Sequence, residues 1–162
     1  MNVLVCAACG RRLSPPLRLL PELPERPGYD GRDGARRAPS TVPRGRYAVD
    51  PEPSGRPYVP HPDPEWMGAA YPGGPVRLDP DGPGCLVSAG PRGTLVVHPA
   101  DTTGLLTPHP DVRPTGCCSE PEGDGPDWAC PGCGTGVASL LASCTGPYET
   151  HFLPDAVREV PA

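Results

Sequence analysis

The sequence predicts a small, β-rich, loop-dominated domain, and three observations carry that prediction. Proline (28 residues) and glycine (21) together make 49 of the 162 residues. Leucine, valine and phenylalanine number 28 together, and isoleucine is absent. The apolar runs are short and bounded by turn residues. Proline lacks an amide donor and glycine is costly to order, so neither supports long helices or central strands. A multi-helix bundle is excluded. So is a doubly wound α/β domain, which needs apolar strands alternating with amphipathic helices. The glycines have no three-residue period, which excludes collagen. Full disorder fits poorly with a net charge of only −5, eight cysteines and two tryptophans.

Taken in order, residues 1–10 read as a strand running into a C-x-x-C-G turn. Residues 11–20 are extended and interrupted by Ser14-Pro15-Pro16. Residues 21–45 form a Pro/Gly/Arg-rich flexible linker. Arg46-Tyr47-Ala48-Val49-Asp50 is a strand signal, and residues 56–75 are turn-rich. Three further strands are expected at 76–78, 85–88 and 94–98, with 89–93 closing the last two into a hairpin. Trp128-Ala129-Cys130 leads into a second C-x-x-C-G turn. Residues 137–143 are too short for period to separate strand from helix and, placed just after a knuckle, are read as strand; 149–153 reads as a final strand. Asp155 stands where an N-cap would open one helical turn over 156–160. The domain is therefore drawn as 1–20 packing with 46–162, with 21–45 between them.

The two turns match: Cys6-Ala7-Ala8-Cys9-Gly10 and Cys130-Pro131-Gly132-Cys133-Gly134. Two residues between cysteines let one tight turn aim both sulfurs at one point. Glycine after the second cysteine tolerates positive φ, so the backbone curls around the centre. Four thiolates are a complete tetrahedral shell for structural zinc, and thiolates select zinc over hard cations such as magnesium. Between Cys9 and Cys130 lie 120 residues. Closing that loop costs about 4 kcal/mol, whereas a structural zinc contributes about 10–16 kcal/mol at neutral pH. A staple between distant parts of the chain is therefore affordable.

These knuckles resemble those of zinc ribbons and rubredoxin-like proteins, through Cys6, Cys9, Gly10, Cys130, Cys133 and Gly134. That resemblance implies a split zinc-ribbon-like domain carrying a short-stranded insert. The order CAACGRRL, RYAVDPEPSG, GCC, WACPGCG and DAVR is also similar to small proteins of high-GC actinobacteria, a likeness that implies zinc knuckles and no particular reaction.

Cys85, Cys117, Cys118 and Cys144 admit several readings. They are a second four-cysteine site, or Cys117 or Cys118 replaces a knuckle ligand, or they are small buried apolar residues. A thioredoxin-like motif would need a long helix after C-x-x-C, which neither Arg11-Arg12-Leu13-Ser14-Pro15-Pro16 nor Thr135-Gly136 begins. His98, Asp101, His109 and Asp111 fall close together among prolines and would suit an open metal site. Loop histidines of this kind are more often simply exposed. No P-loop, dinucleotide fingerprint or calcium loop is present.

Charge is uneven: residues 11–56 carry 10 arginines against 6 acids, and residues 57–162 carry 4 against 13. An arginine-rich arm can contact phosphates, but the sequence pI of about 5.3 argues against nucleic acid. The basic stretch is either solvated or folded back on the acidic half. No apolar run is long enough for a membrane span, and the N-terminus lacks the basic and apolar regions of a signal peptide. A cytoplasmic location is expected, where thiols stay reduced and clustered cysteines read as ligands. The sequence thus points to a non-enzymatic zinc protein with an interaction or accessory role, whose partner the sequence leaves open between a protein and, less favoured, a nucleic acid, with no membrane partner. Two alternatives are a thiol-based redox or zinc sensor and a metal-dependent enzyme built on His98, Asp101 and His109.

Overall fold

The computed structural model describes residues 1–28, 37–113, 125–142, 144 and 146–162. Among these residues the chain forms short strands and one 3-10 turn, as the proline and glycine content dictates. β1 is Asn2–Cys6, β2 Arg18–Leu19, β3 Arg46–Asp50 and β4 Tyr58–Pro60. β5 is Leu86–Ser88 and β6 Thr94–Val97, followed by the 3-10 turn Pro99–Asp101. β7 is Thr107–Pro108, β8 Trp128–Ala129, β9 Gly136–Leu141, β10 Glu149–Phe152 and β11 Val157–Pro161. No helix among the described residues is long and apolar enough to cross a membrane.

The main sheet runs β2-β3-β6-β10-β9-β8-β7. Its centre is antiparallel, with Tyr47 opposite Val97 and Val97 opposite Thr150. Alternation along these strands gives the sheet two buried faces. One face presents Tyr47, Leu95, Val97, Ala138 and Phe152 to the main core, where they meet Leu4, Leu13, Leu17 and Val157. The other presents Ala48 and Val96 to Val42, Leu20 and Leu23. Beside that cluster, Leu141 meets Ala70, Tyr71 and Tyr58.

Between those two small apolar clusters the second face carries polar side chains, and they are buried. Asp50, Thr94, Glu149 and His151 are each at most 2 % exposed. Arg26 closes the group, with Nη2 2.6 Å from Asp50 Oδ2 and Nε 3.0 Å from Glu149 Oε1. His151 Nε2 lies 2.6 Å from Glu149 Oε2, and its Nδ1 lies 2.8 Å from Thr94 Oγ1. Burial alone would raise the Glu149 pKa, but the His151 hydrogen bond and the Arg26 guanidinium outweigh it and hold the carboxyl below its ordinary range.

Several expectations are corrected. β5 and β6 exist, but they do not form a hairpin: β5 pairs with β4, and β6 lies between β3 and β10. The 89–93 segment is tied elsewhere, for Pro91 O accepts from Ser54 N–H at 3.1 Å. Gly90 packs so closely on that strip that a Cβ there would stand 2.2 Å from Ser54 O. The helical turn expected at 156–160 is instead β11. It pairs with β1 over five positions, from Asn2 opposite Pro161 to Cys6 opposite Val157. The unfilled edge of β1 outweighs an N-cap signal that offers one turn. The 76–78 strand reduces to isolated bridges, Ala69 with Val76 and Leu78 with Cys85.

Residues 21–45 do not stand off as a linker where they are described. Val42 is fully buried and Ala38 is 4 % exposed. Arg44 Nε reaches Asp101 Oδ1 at 3.0 Å, and Asp101 Oδ2 accepts from Gly45 N–H at 2.7 Å. Of the two readings of the basic stretch, folding back on the acidic half is the one Arg44 follows. Arg32 and Arg36 lie outside the described residues.

Candidate metal centre

The first knuckle hangs from the end of β1. Cys6 N–H donates to Arg11 O, and Gly10 N–H donates to Cys6 O, both at 2.8 Å. The second knuckle follows β8 and repeats the pattern: Cys130 N–H donates to Thr135 O, and Gly134 N–H to Cys130 O, again at 2.8 Å. Gly10 and Gly134 have φ of +73° and +77°. This is the one place where the repeated glycine is conformationally required. Substituting either with alanine is expected to cost about 1–2 kcal/mol, because a Cβ in the left-handed region meets its own carbonyl. A lowered urea midpoint at unchanged slope would show it.

Packing brings the knuckles together. Cys6 and Cys130 belong to the main core cluster with Leu4, Val137 and Val157. Ala7 N–H also donates to Ala156 O at 2.9 Å, fastening the first knuckle to the turn before β11. As a result Cys6 Sγ lies 3.6 Å from Cys133 Sγ, and Cys9 Sγ lies 3.6 Å from Cys130 Sγ. All four sulfurs fall within 4.8 Å of one another. A tetrahedron with Zn–S bonds of about 2.3 Å has sulfur separations of about 3.5–4 Å, and these contacts fit it. The inner cysteines are buried, while Cys9 and Cys133 are exposed.

Electrostatics point the same way. Hydrogen bonds from the Thr135 hydroxyl and backbone lower the Cys133 pKa to about 6. Around Cys9 a backbone hydrogen bond from Arg11 lowers the pKa, but burial and the Cys130, Cys133 and Cys6 sulfurs outweigh it and push it up to about 12. A bound dication would compensate the negative charge that four converging thiolates accumulate. Arg11 lies across the second knuckle, where a Cβ on Gly132 would stand 2.9 Å from its Cδ.

The other sequence candidates are not drawn together. His98 turns its Nδ1 to Ala100 N–H at 3.0 Å, capping the 3-10 turn. Burial lowers its pKa, with Asp101 opposing and Arg44 adding. Asp101 is committed to Arg44 and Gly45, as described above. His109 Nδ1 accepts from Asp111 N–H at 3.3 Å, a local turn contact. Among the described residues, the four knuckle cysteines are the one cluster of three or more potential ligands that meets at a point. Cys85 is buried with its thiol 3.5 Å from Met67 Sδ. Cys117 and Cys118 lie outside the described residues. Sequence reasoning missed the Arg26–Asp50–Glu149–His151 group. Its only local signal is a charged pair at alternate positions, Glu149 and His151, in an otherwise strand-like run.

No protein-family model, curated protein or solved structure matches this chain. The likeness to zinc ribbons thus rests on the knuckles themselves, and the likeness to actinobacterial proteins gains no support.

Proposed function

We propose that this protein is a zinc-stapled, non-catalytic module with an interaction or accessory role, in which one structural zinc is held by Cys6, Cys9, Cys130 and Cys133. The observation that carries this reading is the convergence of four sulfurs from opposite parts of the sequence. Four protein thiolates leave no open position for water or substrate, which suits a structural ion. The metal would join β1 and its partner β11 to the main sheet at β8. The arrangement is that of a zinc ribbon split by a long insert. The acidic balance favours a protein over a nucleic acid as its partner.

Elemental analysis of protein purified without a metal-binding tag tests the reading. About one zinc per chain is expected for a site of this ligand set. A content below about half an equivalent rejects the staple.

A second reading, a thiol-based zinc switch, draws on the exposure of Cys9 and Cys133. Peroxide would oxidise two thiolates to a disulfide, itself being reduced to water, and so remove two ligands from the metal.

A further inference from the structure

Among the described residues, seven large apolar side chains stand exposed, and four of them fall between residues 59 and 78: Val59, Met67, Val76 and Leu78. Strand pairing gathers them. Val59 sits opposite Val87 across the β4–β5 pair, and Leu78 bridges to Cys85. Opposed residues share a face of a sheet, and so do residues two apart along a strand. Cys85 also meets Met67, its thiol 3.5 Å from Sδ, which brings Met67 to the same face. Met67 and Leu78 are each 66 % exposed there.

On that face a groove of about 320 Å³ runs past Pro53, His61, Trp66, Ala69, Pro72 and Val87. His61 stacks on Trp66, with ring centroids 4.3 Å apart and planes 14° from parallel. Gly68 passes so close that a Cβ there would overlap the indole. The Trp66 ring is therefore fixed in place as a wall. Aromatic-lined grooves receive polyproline II segments, whose preset backbone loses little freedom on docking. Addition of a β-strand fits less well, since Pro57, Pro60 and Pro62 deny β4 a row of amide donors.

Charge selects among such segments. Residues 57–88 carry four acids, Asp63, Glu65, Asp79 and Asp81, and one arginine, Arg77. The two acidic turns pack together, for a Cβ on Gly84 would stand 2.7 Å from Pro64 O. Asp63 Oδ1 accepts from Glu65 N–H at 2.9 Å, and Asp79 Oδ1 from Asp81 N–H at 3.0 Å. These local turn contacts leave the carboxylate charge in place. Arg77 stacks on the Tyr58 ring at 4.3 Å, and alternation puts it on the other side of the strand from Val76 and Leu78. The apolar face thus has an acidic rim, which complements a basic partner.

We propose that this face docks a proline-rich segment of a partner protein that carries flanking basic residues. The prolines would pack in the groove beside Trp66, and the basic residues would meet the carboxylates of the two acidic turns. The proposal deepens the interaction-module reading and rests on it, and it uses no knuckle residue.

The probe is the capped peptide PPLPPLPPRR, titrated into isotopically labelled, zinc-loaded protein with amide shifts followed by NMR. Saturable shifts are expected within residues 59–88. The peptide PPLPPLPPEE should bind about tenfold more weakly, because attractive pairs become repulsive ones. GGSGGSGGRR keeps the charge without the rings and should give no saturable shifts. Trp66→Ala should weaken PPLPPLPPRR about tenfold, as loss of an aromatic anchor does. The paired surface changes Asp63→Asn and Glu65→Gln should cut the preference for the basic peptide to about threefold, and they decide the matter if the Trp66 variant fails to fold. Absence of saturable shifts at this face, equal binding of GGSGGSGGRR, unchanged affinity in a folded Trp66 variant or an unchanged charge preference in the paired variant overturns the proposal. Shifts of this face that track protein concentration without peptide would assign it to a second copy and overturn it too. Zinc content of the same sample keeps the two readings apart. A full zinc complement with no peptide shifts rejects this site and leaves the staple, and a zinc-poor sample that still binds the peptide does the reverse.

Discussion

Replacing Cys130 with serine is expected to unfold most of the protein. Cys130 is wholly buried in the main core cluster, and its sulfur is one of the four that converge. A structural zinc contributes about 10–16 kcal/mol, comparable to or larger than the net stability of a domain at about 5–15 kcal/mol. Proline and glycine leave this chain little aliphatic core to fall back on. Circular dichroism and NMR dispersion should both collapse, and zinc should be absent from the purified variant. A strong chelator should reproduce the effect on the unmodified protein. Acid should weaken the site as well, since thiolate ligands must be deprotonated to bind the metal. The same variant separates the two functional readings. A folded Cys130→Ser protein that has merely lost its response to peroxide would support the switch and reject the staple.

Substitution of Glu149 with alanine is the second large effect, expected at about 3–5 kcal/mol. The carboxylate is fully buried between Arg26 and His151, so its removal strands two buried polar partners. Urea denaturation at neutral pH measures the loss. The pH dependence follows from the direction of the shift. Glu149 is held below its ordinary value of 4.5 in the fold. Its contribution is therefore complete above that value and is lost as the pH falls through the depressed folded value. Glu149→Gln should remove this part of the acid limb, leaving a flatter stability profile below pH 4.5 than the unmodified protein shows. An unchanged acid limb in a folded variant would mean that other carboxylates govern acid unfolding.

Local signals were legible where they were strong. β1, β3, β6, β9 and β10 each fall on a short apolar or β-branched run that the sequence marks as a strand. The matched C-x-x-C-G turns identify Cys6, Cys9, Cys130 and Cys133 because their chemistry is local, two sulfurs and a left-handed glycine within five residues. Strand partners were another matter. The 89–93 loop reads as a hairpin connection because it is short, yet close approach of Gly90 to Ser54 O steers β5 toward β4. At the C-terminus, Asp155 reads as a helix cap, but the pairing of residues 157–161 with β1 satisfies more backbone groups.

The sequence by itself determined the ingredients: a β-rich chain with a meagre core, and two half-sites that each need a second half. Short-range stereochemistry decides those features, so they can be read without a fold. Only the tertiary structure decided that the half-sites meet, with sulfurs 3.6 Å apart across more than 120 residues. It also decided that Arg26, from a stretch whose composition reads as a linker, pairs with both Asp50 and Glu149 inside the protein. Contacts of that range depend on which strands pair and which faces are covered. Those choices are made by the summed burial of the whole chain, and no local window of residues records them.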